Sequence, residues 1–276
     1  MITLIEPNFR KVICALSSRT TSTNNFASLE NQTSLVTGAS TGIGREIALE
    51  LARAGSDIVV HCRRSIEAAE KVADEIRLIG RSATVISQDL YETAELVAFA
   101  EQTWEEQGGF QIAVLNAGVD LLTGAAKDWD YNRKLDALLK IDVTSTAVLG
   151  RAWGTRMKEA GNGSLITIGW DQSDRGMEGD SGELFSMAKN SVMGFTRSLA
   201  LSLAPEVRVN CVSPGWIRTA WGDGASGYWQ QRVLNETPLK RWGEPTDIAR
   251  MIRFLSSEEA NFVTGQVINV NGGVVR

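Results

Sequence analysis

One stretch constrains this chain more than any other: Thr37-Gly38-Ala39-Ser40-Thr41-Gly42-Ile43-Gly44. A short apolar run, Ser34-Leu35-Val36, leads into it. A helix-forming run, Arg45-Glu46-Ile47-Ala48-Leu49-Glu50-Leu51-Ala52, leads out. Strand, glycine turn and helix in that order make the geometry that cradles a pyrophosphate. The glycines let the backbone approach the ligand, and the free N–H groups of the first helical turn face its negative charge. The spacing is Gly-x-x-x-Gly-x-Gly rather than the Gly-x-Gly-x-x-Gly of the commonest dinucleotide fingerprint. A purely structural turn could use the same glycines, but the setting between strand and helix favours a dinucleotide site.

Downstream the pattern alternates. Asp57–His61, Ala83–Ile86, Ile112–Leu115, Ser164–Ile168, Val207–Val212 and Gln266–Val270 read as strands. Ser65–Ile79, Ala94–Gln107, a long stretch from about Asn132 to Ala160, and Glu183–Ala204 read as helices. Short β-branched runs separated by helices require crossover connections. The expected fold is therefore α/β: a single-domain Rossmann fold with a doubly wound, seven-stranded parallel sheet covered on both faces. No linker divides residues 29–276. Residues 1–28 read as an N-terminal extension, either a loose segment or a targeting peptide. Asp171–Gly182 and Trp221–Trp242 follow strand ends, where open α/β sheets place ligands. The second is expected to be a mobile lid over the substrate; a surface helix and loop is the simpler reading.

Charge and cysteine usage narrow the partners. A net charge of −5 argues against nucleic acid, which wants a basic face. No apolar run approaches the roughly 18 residues that span a membrane. Cys14, Cys62 and Cys211 are odd in number and widely spaced, which gives no metal or disulfide pattern and points to a reducing, cytoplasmic compartment. The single histidine, His61, reads as a packed residue at a strand tip, and no metal site is expected.

The glycine stretch resembles the Thr-Gly-x-x-x-Gly-x-Gly motif of the short-chain dehydrogenase/reductase family. The resemblance runs over about residues 29–276. Asn116-Ala117-Gly118 is similar to that family's Asn-Ala-Gly segment, and Pro214-Gly215-Trp216-Ile217-Arg218-Thr219 to its Pro-Gly-x-x-x-Thr segment. Thr264-Gly265-Gln266 through Asn271-Gly272-Gly273 is similar to its last strand and turn. The nearest subgroup by resemblance is the 3-oxoacyl-carrier-protein reductases.

The resemblance implies a nicotinamide dinucleotide held by Gly38, Ser40, Thr41, Gly42, Ile43 and Gly44. Asp89 and Leu90 would lie along the adenine, with Asn116, Ala117 and Gly118 beside the adenine ribose. Pro214, Gly215, Ile217 and Thr219 would lie near the nicotinamide. About 20 residues past the glycine turn an NAD enzyme offers an acid to the ribose 2′-hydroxyl. This chain offers Arg63 and Arg64 instead, and a guanidinium suits a 2′-phosphate. NADP(H) is therefore favoured over NAD(H).

The family's catalytic set is Asn, Ser, Tyr and Lys. Lys189 fits the lysine. Phe185 stands at the tyrosine position, Trp170 at the serine position and Asp142 at the asparagine position. The family's phenol exchanges a proton with the substrate oxygen, and the lysine charge makes that possible near neutral pH. Phenylalanine has no proton to give, and tryptophan offers only an indole N–H. Ser173, Asp171, Asp174 or Glu183 could substitute from the following loop. Asp142 and Lys189 would form either a buried ion pair or an acid–base pair. Trp170, Phe185, Trp216, Trp221 and Trp229 would line one cavity for a flat apolar or aromatic small molecule, or plug it.

Three readings stand side by side: an NADP(H)-dependent oxidoreductase with an altered proton donor, a dinucleotide-binding pseudoenzyme, and a non-redox lyase or isomerase using Asp142 and Lys189. The resemblance also implies a homotetramer or homodimer.

Overall fold

The computed structural model describes residues 26–276. The reading of residues 1–28 as an extension falls almost wholly outside the described residues. Seven parallel strands form one sheet in the order β3-β2-β1-β4-β5-β6-β7. They are β1 (Thr33–Val36), β2 (Asp57–Cys62), β3 (Ala83–Ser87), β4 (Ile112–Leu115), β5 (Gly163–Ile168), β6 (Val207–Pro214) and β7 (Val267–Val270). The strand order reverses beside β1, which pairs with both β2 and β4. That reversal opens a crevice at the carboxyl ends of the strands.

Successive strand residues point to opposite faces, and both faces are buried. Leu35, Val59, Ala113, Leu165 and Val209 belong to one apolar cluster. Their neighbours Val36, Val60, Val114, Ile166 and Ile58 belong to the other. Helices α1 (Gly42–Arg53), α2 (Ile66–Ile79) and α9 (Pro245–Ser256) cover the second face. Helices α3 (Leu96–Glu106), α5 (Ser145–Ala160) and α6 (Asp180–Leu203) cover the first. Among the described residues, no helix is long and apolar enough to cross a membrane.

Most element boundaries fall within a residue or two of the sequence expectation. The expected helix from Asn132 to Ala160 is continuous but not uniform. It comprises α4 (Tyr131–Leu138), a π-helical segment at Leu139–Thr144, and α5. Such wide turns cluster at functional sites because they re-aim side chains, and this one carries Asp142. Helix α6 begins at Asp180, three residues before the expected start. Strand β6 runs on to Pro214, so the chain enters the Pro-Gly segment directly from the sheet. The stretch expected as a lid folds into two short helices, α7 (Ala220–Gly224) and α8 (Gly227–Glu236).

Candidate active site

The glycine turn sits at the reversal point and is fixed by its neighbours. Gly38 has φ of +65° and Gly42 of +58°, both in the region that favours glycine. A Cβ on Gly44 would lie 2.2 Å from the Gly38 carbonyl oxygen and 2.4 Å from Asn116 Nδ2. The turn, α1 and the Asn116 side chain therefore pack with no room to spare. The Asn116 side-chain amide donates to the carbonyl of Thr37 at 3.0 Å. The Thr37 hydroxyl accepts from the backbone N–H groups of Asn116 and Ala117, at 2.9 and 3.0 Å. Two of the sequence motifs are thus tied together by one threonine.

Around this turn lies a cleft of about 740 Å³. Gly38, Ser40, Thr41, Gly42, Ile43, Gly44, Arg63, Asp89, Leu90, Asn116, Ala117, Gly118 and Thr219 all line it. No side chain caps α1, and no acidic residue stands in its first turn. Its N–H groups are left for an anion, reinforced by the helix dipole. The glycine cradle and the uncapped helix fit a dinucleotide pyrophosphate.

His61 was readable only as a packed residue, and it is buried. It also holds the turn. Its Nδ1 accepts from the Gly38 N–H at 3.2 Å, and its Nε2 lies 3.2 Å from the Gln88 carbonyl. Burial pushes its pKa down from 6.5 to about 4, so the imidazole is neutral and can accept at Nδ1. One ring nitrogen accepting fixes the proton on the other, which donates to Gln88.

Arg64 does not line the cleft, contrary to the sequence expectation. Its guanidinium reaches the Asp89 carboxylate at 3.2 Å and is otherwise exposed. Only Arg63 of the pair is left beside the cleft. The 25-residue separation between Arg64 and Asp89 hides this pairing from local sequence reading.

A second cavity of about 390 Å³ adjoins the first; Ile43, Val119 and Thr219 line both. Trp170, Phe185, Trp216, Trp221 and Trp229 all line this second cavity, so these aromatics wall an open space instead of filling it. Trp170 meets Phe185 edge to face, with ring centroids 6.0 Å apart. Trp216, Trp221 and Trp229 contact one another at 5.6–5.9 Å and form the roof. Pro214, Gly215 and Ile217 line this cavity and not the nucleotide cleft. The backbone leaves β6 on the far side of Thr219, the one residue of that segment that reaches both.

Among the described residues, Lys189 is the only titratable side chain lining the aromatic cavity. Its ammonium lies 2.8 Å from Asp142 Oδ2 in an ion pair, with the carboxylate wholly buried and the lysine side chain 12% exposed. Asp142 Oδ1 accepts from the Val119 N–H at 2.9 Å. A Cβ on Gly118 would fall 2.7 Å from Asp142 Oδ2, so the motif glycine makes room for the carboxylate. Asp142 itself does not line the cavity.

The proposed substitutes for a proton donor are placed elsewhere. Asp171 and Ser173 are buried but do not reach the cavity. Asp171 accepts instead from Asn271 Nδ2 at 3.0 Å and anchors the C-terminal turn. Burial raises its pKa to about 6. Asp174 is exposed, and Glu183 accepts from the Tyr131 hydroxyl at 3.3 Å on the surface. One further contact was not visible in the sequence. Glu178, on the loop after β5, pairs with Arg232 of α8 at 2.5 Å. The Arg232 guanidinium also lies 4.9 Å above the Trp229 ring. The pair joins the loop after β5 to α8 beside Trp229.

The pattern of a family described as Enoyl-(Acyl carrier protein) reductase matches residues 38–275. The chain belongs to the short-chain dehydrogenase/reductase family. It is 37% identical over 250 residues to the 3-oxoacyl-[acyl-carrier-protein] reductase FabG of Aggregatibacter actinomycetemcomitans, covering 88% of this chain and 99% of that protein. The FabG of Aquifex aeolicus is 35% identical over 253 residues, covering 89% and 98%. Among solved structures, a 7α-hydroxysteroid dehydrogenase complexed with NADH and 7-oxo glycochenodeoxycholic acid superposes with a TM-score of 0.82 at 30% identity, covering 93% of this chain and 98% of its own. A short-chain dehydrogenase from Burkholderia cenocepacia in complex with NADP superposes with a TM-score of 0.79 at 27% identity, covering 89% and 98%. The relatives of this short-chain dehydrogenase/reductase are oxidoreductases, and structural neighbours bind NAD(P).

Proposed function

We propose that this chain is an NADP(H)-dependent oxidoreductase acting on a carbonyl/alcohol pair, similar in plan to the 3-oxoacyl-carrier-protein reductases but with an altered proton-transfer set. The observation that carries the reading is the continuity of the two cavities. A cradle suited to a pyrophosphate opens, past Ile43, Val119 and Thr219, onto a chamber lined by Lys189. Gly38 to Gly44 and the start of α1 would hold the pyrophosphate, Arg63 the 2′-phosphate, and Asn116 to Gly118 the adenine ribose. When bound, the nicotinamide supplies hydride exchange. Lys189 would hold the nicotinamide ribose, and Asp142 fixes the position of Lys189. Trp170 and Phe185 exclude water from the reacting carbon but give no proton.

NADPH oxidation in the presence of a panel of carbonyl compounds, acyl thioesters and steroid ketones included, tests this. Turnover above the cofactor-only background supports it. NADPH binding with no turnover on any carbonyl compound would favour a dinucleotide-binding pseudoenzyme, the reading the Trp170–Phe185 contact supports. A lyase using Asp142 as base is weaker, because Asp142 is shielded from the cavity. The family resemblance extends to assembly as a homotetramer or homodimer through the long helices and the free edge of β7, which light scattering on the purified protein would test.

A further inference from the structure

Among the described residues, the acidic group lining the aromatic cavity is the Lys189 ammonium, held against Asp142, and that restricts what can be reduced there. We propose that its substrate is a flat, conjugated carbonyl compound, with a quinone as the type, whose hydride adduct is a resonance-stabilised oxyanion. The inference rests on the oxidoreductase reading above and specifies the substrate class of the same site.

The first argument is the wall. Trp170, Phe185, Trp216, Trp221, Trp229 and Met177 give broad apolar faces around about 390 Å³, within the size range of small-molecule sites. Such faces favour planar rings over flexible chains. The second argument is the chemistry of what is missing. The titratable lining is Lys189 alone, and its charge is matched at 2.8 Å by a buried carboxylate. An ion pair of this kind presents almost no net charge to the chamber. The hydroxyls of Ser181 and Thr219, which also line it, are far weaker acids than a phenol.

A saturated ketone that accepts hydride becomes an alkoxide about as basic as hydroxide, far more basic than a phenolate. Its proton must arrive with the hydride, and the acid lining the chamber, the Lys189 ammonium, is turned to the Asp142 carboxylate at 2.8 Å. A quinone behaves differently. With NADPH bound, the quinone would accept a hydride, the hydrogen and electron pair of a nicotinamide C–H bond, and be reduced by two electrons to the hydroquinone monoanion, leaving the cofactor oxidised. That anion is a phenolate, with a conjugate acid pKa of about 10. Its charge spreads over the ring system, so it can form in an apolar chamber and take its second proton from water afterwards. An enone accepting hydride at its β-carbon gives an enolate by the same logic.

The test compares two bicyclic probes of similar size with the whole protein and NADPH: menadione, a quinone, and β-tetralone, whose carbonyl is unconjugated. Menadione should be reduced with a kcat/KM about 100-fold or more above that of β-tetralone, the ratio lost when a general acid is absent. The Trp170→Ser, Phe185→Tyr double variant should close most of that gap by raising β-tetralone turnover. Trp229→Leu should raise the KM for menadione more than it lowers kcat. Calorimetry of menadione against cofactor-free protein should show saturable binding that Trp229→Leu weakens. If NADPH binds while menadione is reduced no faster than β-tetralone, or menadione fails to bind, the substrate class is wrong and the oxidoreductase reading survives. If NADPH does not bind, that underlying reading falls, and this inference with it.

Discussion

The two chambers at the carboxyl edge of the sheet are made of different material. The nucleotide cleft is shaped by backbone: glycines at positive φ, an uncapped helix start, and Thr37, Asn116 and His61 pinning main-chain groups. The adjoining cavity is shaped by side chains, and almost all of them are large and apolar. Backbone geometry tolerates few alternatives, since a single Cβ at Gly44 would meet a carbonyl oxygen at 2.2 Å. Side-chain walls can be exchanged without disturbing the fold. Phe185 and Lys189 illustrate this: they lie one turn apart on α6 and line the same chamber, but one is wholly apolar and the other carries a charge. The backbone-built half is therefore constrained far more tightly than the half built from side chains.

Changes to the substrate half should have the largest effect. Trp170→Ser with Phe185→Tyr places a hydroxyl and a phenol beside Lys189. Reduction of saturated ketones should rise by about 10²- to 10⁴-fold, the usual contribution of a general acid, with NADPH affinity unchanged. An unchanged rate on a panel of such ketones would mean that more than proton transfer separates the halves.

Next in size is the joint between them. Asp142→Ala leaves the Lys189 ammonium without its partner, and removing one member of a buried pair costs about 3 kcal/mol or more. Denaturant unfolding should show that loss. Asp142→Asn keeps an acceptor for the Val119 N–H and should lose less.

Within the cofactor half, Arg63→Ala should weaken NADPH by roughly 10- to 100-fold, the worth of charge-assisted hydrogen bonds. NADH should be little affected. Arg64→Ala should change NADPH affinity far less, because Arg64 is engaged with Asp89.

Acid titration separates two buried groups whose effects oppose each other. His61 has its pKa lowered to about 4, so it contributes stability above pH 6.5 that is lost as pH falls toward 4. At 1.36 kcal/mol per unit this amounts to about 3 kcal/mol. Asp171 has its pKa raised to about 6, so its contribution is full below pH 3.8 and is lost as pH rises through 6. The two partly cancel between pH 4 and 6. Asp171→Asn should steepen the loss of stability on acidification, and His61→Asn should flatten it. Parallel profiles for all three proteins would contradict the burial argument.

The smallest effect is expected at the roof. Glu178→Gln breaks a pair whose glutamate is 72% exposed, so water screens most of its effect. The KM of a bulky substrate should shift less than about five-fold, and nucleotide affinity should not move.

What the sequence made legible follows the same division. Alternating strand residues and interposed helices were readable because burial on both sheet faces forces that pattern. The Asp142–Lys189 pair and the shared cavity of Trp170, Phe185, Trp216, Trp221 and Trp229 were also legible, because the family motifs set Asp142, Trp170, Phe185, Lys189 and Trp216 against its catalytic and Pro-Gly segments, with the aromatic stretch from Trp221 following close behind. Contacts between distant loops were not. Arg64 with Asp89, Glu178 with Arg232, and Asp171 with Asn271 depend on where loops return in space, and no local periodicity encodes that. The π-helical turn at Leu139–Thr144 leaves no mark on an amphipathic pattern, although it sets the position of Asp142. His61 was read as packing, and only the three-dimensional approach of Gly38 to its Nδ1 reveals a second role.

The central claim is that the nucleotide half is intact while the substrate half has been rebuilt. Calorimetric titration of the purified protein with NADPH and NADH tests it most directly. The account predicts saturable binding of NADPH, tighter than NADH, with the difference abolished by Arg63→Ala. Absence of binding by either nucleotide would contradict it and leave the glycine turn as a structural feature of a retained fold.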